Sequence, residues 1–136
     1  MLLEYNKNNR DKVIDIIKDS LTIDLIPKKW QKRNINNPMF GHCHNAAATF
    51  KKIFGKQVEL RRALDDEGIW HWWCVDNDGN IIDITADQYY SEGKQPPWEK
   101  TKGEKASPLG FDYRKRVESV TERVKRLLGL SKSIVL

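Results

Sequence analysis

The chain is poor in cysteine, in long apolar runs and in charge of one sign, and each shortage removes a class of protein. Two cysteines, Cys43 and Cys74, in 136 residues are too few for a disulfide framework, so a reducing cytoplasm is the expected setting. No window holds the roughly 18 apolar residues of a membrane span. The opening Met1-Leu2-Leu3-Glu4-Tyr5-Asn6 lacks a signal-peptide pattern, and no membrane partner is expected. The net charge of +5 arises from basic residues mixed with 19 acidic ones, without a long block of either sign. Such a surface permits weak attraction to nucleic acid but does not require it. At 39% hydrophobic and 32% charged, the chain suits one domain over residues 1–136 with a modest core.

What is present is a dense stretch from Gly41 to Gln88. Before it, residues 9–20 follow helical spacing through Val13, Ile14, Ile16 and Ile17, with Asn8 or Asn9 as cap. Residues 25–40 carry Pro27, Pro38 and three asparagines, the composition of a loop, with Trp30 as its anchor. Residues 43–54 form the strongest helix, with three alanines, Phe50, Ile53 and Phe54, and Gly55 as its stop. Gly41 gives the backbone room to turn into it, which places Cys43 in the first turn.

Three strands are expected next, over 57–64, 69–76 and 80–85, the first alternating Val58, Leu60 and Leu64 with polar residues. Asn77-Asp78-Gly79 joins the last two as a three-residue loop. In that register Trp73 faces Asp83 and His71 faces Thr85, so His71 and Asp83 share a face as diagonal neighbours. A two-residue loop would put them on opposite faces. The other face holds Trp70, Trp72, Cys74, Ile82 and Ile84, so both sides of the hairpin are apolar. Residues 91–109 read as an exposed loop pinned by Trp98 and bordering the cleft. A final helix over 112–128 buries Tyr113, Val117, Val120, Val124, Leu127 and Leu128.

A thiol, an imidazole and a carboxylate in this order suit acyl transfer. Cys43 at a helix start feels the positive end of the macrodipole, which favours thiolate. The free amide N–H groups there can hold an oxyanion. His71 needs a buried partner and Asp83 supplies one. The bland alternatives are a cysteine filling a gap and a structural His–Asp pair. His42, His44, His71 and the two cysteines also raise zinc, but His71 and Cys74 point to opposite faces of a strand, which argues against a shared metal. His42 and His44 read instead as rim residues.

The order Cys, His, Asp on helix, strand, strand resembles the transglutaminase-like and arylamine acetyltransferase-like branch of papain-like cysteine enzymes. A closer likeness is to small bacterial and phage proteins of papain-like type. It rests on Trp30, Asn37, Pro38, Gly41, His42, Cys43, His71, Trp72, Asp78, Gly79, Asp83, Thr85 and Gln88, with a Gly110-Phe111 before a basic helix. The resemblance implies an α+β, papain-like core in which a Cys-bearing helix packs on a small antiparallel sheet, with terminal helices around it. It implies Cys43 as nucleophile, His71 as base and Asp83 as orienting carboxylate. Gln88, Gln31, His42, His44 and Trp72 are the candidates for substrate or oxyanion contacts. No metal or cofactor is called for, and a protein or peptide is the expected substrate. The competing class is a non-catalytic binding protein whose last helix (Arg114, Lys115, Arg116, Arg123, Lys125, Arg126) contacts nucleic acid or a protein.

Overall fold

Asp76 sets the register of the sheet. Its Oδ1 accepts the N–H groups of Asp78 and Asn80 at 3.0 and 2.8 Å, and Gly79 takes a φ of 83°. The Asp76 N–H reaches the Asn80 carbonyl at 3.0 Å, so residues 77–79 are the loop, as the sequence predicts. These coordinates belong to a computed structural model that describes residues 2–110 and 112–130. Phe111 of the Gly-Phe pair, and the chain beyond Leu130, lie outside the described residues.

Strand β2 (Trp70–Asp76) pairs antiparallel with β3 (Ile81–Ile82), Cys74 opposite Ile82 and Val75 opposite Ile81. The third strand is far shorter than residues 80–85. Asp83 Oδ1 captures the Thr85 N–H at 3.2 Å, and this local turn draws the chain out of the ladder before Asp83. On the other side of β2 lies β1 (Val58–Leu64), and β4 (Glu104–Lys105) closes that edge, giving the order β3-β2-β1-β4. Val58 and Leu60 are buried, but Leu64 at the strand end is exposed. Residues 91–109 are thus more than a loop. They add β4, and their Gly103 lies against Trp73, covering the second face of the hairpin.

The opposite face carries the helices, α1 (Lys7–Ser20), α3 (Cys43–Phe54) and α5 (Asp112–Leu127). The cap of α1 is Asn6, whose side chain accepts the Asn9 N–H at 2.8 Å, so the helix starts two residues earlier than its apolar spacing indicates. Val13 and Ile17 of α1, Phe50, Ile53 and Phe54 of α3, and Val120 and Val124 of α5 meet Leu60 and Cys74 in one core. Each large buried side chain there contributes on the order of 1.5–3 kcal/mol relative to exposure. Leu127, at the end of the helix, is exposed.

Contrary to what its composition suggests, the segment 25–40 is not a loop throughout. It contains a helix, α2 (Lys28–Asn36), because its prolines and asparagines mark the helix ends and not its interior. Pro27 precedes the first turn, where a missing N–H costs nothing. Asn34 Nδ2 donates to the Pro38 and Phe40 carbonyls at 2.9 and 2.8 Å, closing the far end. A short α4 (Asp87–Tyr90) follows the turn at Asp83. Helices and an antiparallel sheet make an α+β fold, and no helix among the described residues is long and apolar enough to cross a membrane.

Candidate active site

Cys43 is the first residue of α3 and is 8% exposed. Gly41 turns the chain into the helix at a φ of 88°, and a Cβ there would lie 3.2 Å from Ile26. His42, at the cap position, makes no side-chain cap, so the first-turn N–H groups have no such acceptor. The Cys43 thiol lies 3.8 Å from the Trp70 carbonyl, to which it can donate.

His71 stands in the middle of β2, fully buried, and its Nε2 bonds Asp83 Oδ2 at 2.6 Å. The same oxygen accepts the indole N–H of Trp98 at 2.7 Å. Trp73 stacks on the imidazole, and the ring of Tyr89 meets it edge-on at 4.8 Å. Burial pulls the His71 pKa down, but the charge and hydrogen bond of Asp83, with a smaller contribution from Cys43, outweigh it and raise the pKa to about 10. The ring Nδ1 of His71 has no hydrogen-bond partner among the described residues.

Cys43 lines a cavity of about 480 Å³ with aromatic walls from Trp30, Trp70, Trp72 and Tyr113. His44 and Gln88 line it too. Gln88 is positioned by the Asp83-x-Thr85 turn and by Asn37, whose Nδ2 donates to the Gln88 carbonyl at 2.7 Å. Its Oε1 is buried without a partner among the described residues. The Leu109 N–H donates to His44 Nε2 at 2.9 Å, so the neutral ring carries its proton on Nδ1. Burial, helped by the Arg116 charge, pushes the His44 pKa down to about 4 and keeps it neutral.

The other candidates are elsewhere. Gln31 donates its amide to the Ile23 and Ile26 carbonyls and holds the approach to α2. His42 is not on a rim. It is fully buried, and burial pushes its pKa down to about 4 against the pull of Asp24. Cys74 is core, its thiol pushed up by burial and 3.4 Å from the Ala47 carbonyl. Among the described residues no group of three or more His, Cys, Asp or Glu is placed to hold a metal ion. Three of the α5 cations are engaged within the chain. Arg123 donates to the Ser20 carbonyl, Lys125 pairs with Glu122 and Arg116 lies over Tyr113.

Two contributors escape a reading by motif. Trp98 reaches Asp83 from a short turn over Pro97–Glu99, and nothing local announces that bond. Arg62 did have a signal. It occupies the position after Val58 and Leu60 on the inward side of an alternating strand, where a cation needs a reason.

A family model described as YunG protein matches residues 9–129 of the chain. No curated protein and no solved structure matches it.

Proposed function

The chain belongs to the YunG family, and we propose that it is a thiol-dependent acyl-transfer enzyme acting on an amide bond of a protein or peptide. The observation that carries this reading is the His71 ring, bound through Nε2 to a buried carboxylate, with no partner for Nδ1 among the described residues and with Cys43 among the groups that raise its pKa. A purely structural His–Asp pair has no need of a second unbonded nitrogen next to a helix-start thiol. The papain-like, transglutaminase-like core is part of the same proposal, supported by the order of Cys on a helix, His on a strand and Asp at a strand end.

In the proposed cycle the thiol proton passes to His71 Nδ1, leaving a thiolate for attack. The Cys43 sulfur attacks the carbonyl carbon, forming a C–S bond, and the carbonyl oxygen becomes an oxyanion facing the first-turn N–H groups of α3. His71 returns the proton to the leaving nitrogen as the C–N bond breaks. Asp83 keeps the ring oriented throughout. Water, deprotonated by His71, then attacks the thioester and frees the acid and the thiol. An amine in place of water makes the reaction a transfer.

The test is the rate of Cys43 alkylation by iodoacetamide against pH, located by peptide mapping. The expected thiol reacts well below pH 8.5, the ordinary value for a free cysteine of roughly that pKa. Activity-based labelling disappears in His71→Ala. A thiol that gains reactivity only as pH passes about 8.5 overturns the reading in favour of a binding protein.

A further inference from the structure

Three residues that line the same aromatic cavity each carry a buried polar atom without a hydrogen-bond partner among the described residues. Among the described residues Arg62 Nε and His44 Nδ1 are buried without hydrogen-bond partners. Both are donors, the first on a permanent cation and the second by the tautomer that Leu109 imposes. The third is Gln88 Oε1, an acceptor. The Arg62 guanidinium carbon lies over the Trp70 ring, 4.1 Å from its centroid, and 5.4 Å from that of Trp72, so the cation sits against the aromatic wall. Among the described residues no Asp or Glu lines this cavity. Glu104 forms a loose ion pair with Arg62, 3.7 Å from Nε, beyond hydrogen-bond reach and more than half exposed. Unsatisfied buried donors are costly unless a ligand completes them.

We infer that the cavity beside Cys43 selects acyl substrates that carry a carboxylate next to an aromatic or flat apolar group, with Arg62 as the specificity-determining residue. The carboxylate takes the fork of Arg62 and the Nδ1–H of His44, while the apolar group lies against Trp70, Trp72 and Tyr113. Gln88 Oε1 accepts an amide N–H from the substrate backbone. The inference rests on the acyl-transfer reading for the reaction, but not for the anion site itself.

The experiment separates the two. Cys43 is alkylated with iodoacetate and, in parallel, with iodoacetamide, reagents that differ in one carboxylate. Wild type favours iodoacetate, and Arg62→Gln lowers the iodoacetate-to-iodoacetamide rate ratio by about five-fold or more, as expected for removing one nearby charge. His71 is unchanged in the variant, so its own ring cannot account for the fall. Arg62→Met, which keeps an apolar stem over Trp70, repeats the measurement should Arg62→Gln fail to fold. A ratio that is the same in wild type and in either folded variant overturns the anion site. Fluorogenic N-succinyl- and N-acetyl-phenylalanyl amides then test the substrate class, with the succinyl compound preferred by wild type and the preference lost in the variant. Equal turnover of both overturns the specificity. Turnover of neither, with the alkylation ratio falling as expected, leaves the anion site standing and counts against the acyl-transfer reading.

Discussion

Trp98 donates its indole N–H to Asp83 Oδ2 at 2.7 Å, the same oxygen that His71 Nε2 bonds at 2.6 Å. The carboxylate that orients the imidazole is thus itself oriented by a side chain 15 residues away, in a segment whose composition suggests only a loop. Thr85 holds the other oxygen through its N–H at 3.2 Å, so Asp83 has little rotational freedom.

Removing the indole donor should therefore loosen Asp83 without removing it. Trp98→Phe keeps a ring in the turn and is expected to lower stability by about 1.5–3 kcal/mol, the usual range for a hydrogen bond to a charged group. Cys43 alkylation near neutral pH should slow at the same time. Denaturant unfolding and alkylation kinetics on one preparation check both. An unchanged alkylation rate together with the expected loss of stability would separate Trp98 from the function of His71.

The histidines that flank Cys43 predict an acid transition. His42 and His44 are buried, and burial lowers both from 6.5 to about 4. A lowered folded-state pKa means that the unfolded chain binds the proton first. Their contribution is therefore complete above about pH 6.5 and falls as pH drops from 6.5 towards 4, on the order of 3 kcal/mol each. His71 has the opposite sign. Its pKa is raised to about 10, so its contribution is complete below 6.5 and is lost as pH rises from there through 10. Unfolding free energy measured from pH 4 to 10 should fall at both ends, and a flat acid limb between 6.5 and 4.5 would contradict the burial of the two neutral rings.

A network tied to Gln88 through Asn37 offers a second stability test. Arg33 bonds Glu92 and Glu67 at once, with contacts from 2.6 to 3.0 Å, and Asn37 joins Glu92 to the Gln88 carbonyl. Hydrogen bonds from Arg33 first, then from Lys94 or Asn37, pull both carboxylates down to about 2. Their support is present above pH 4.5 and lost as pH falls through 2. The side chains are only half-buried, so Arg33→Met should cost about 1–2 kcal/mol at pH 7, and its acid limb below pH 4.5 should be shallower than that of wild type.

The hairpin register was legible because it is a local matter. Asn77-Asp78-Gly79 admits few turns, and the alternation around it placed His71 and Asp83 on one side even though the ladder stops short of them. The Cys43 helix was legible for the same reason, with Gly41 and Gly55 at its ends. Residues 28–36 were misread because asparagine and proline mark helix ends as strongly as loops, and Trp30 and Ile35 are too few to show an apolar stripe. Trp98, Tyr113 and Leu109 reach the site across 15 to 70 residues of chain, and no spacing rule reports contacts that only packing creates. Arg62 lay between the two cases, visible as an anomaly on an inward strand position but without a partner to explain it.

Gly103 is where that distant packing can be broken by one methyl group. Its φ is +68°, a left-handed conformation that costs a residue with a Cβ about 1–2 kcal/mol. A Cβ there would also lie 2.6 Å from Trp73 Cη2 and 2.7 Å from the Arg62 carbonyl oxygen. Neither neighbour has room to yield, since Trp73 is buried between Gly103 and His71 and the carbonyl belongs to β1. Gly93 is the control, with a φ of +71° and nothing within 4 Å of a Cβ. Gly93→Ala should show the backbone cost alone, whereas Gly103→Ala should lose about 2–4 kcal/mol through strain and overpacking together. Because Trp73 stacks on the His71 ring, Gly103→Ala should also slow Cys43 alkylation, which Gly93→Ala should not. Equal losses of stability in the two variants would mean that Trp73 can give way, and that the loop does not brace the imidazole from behind.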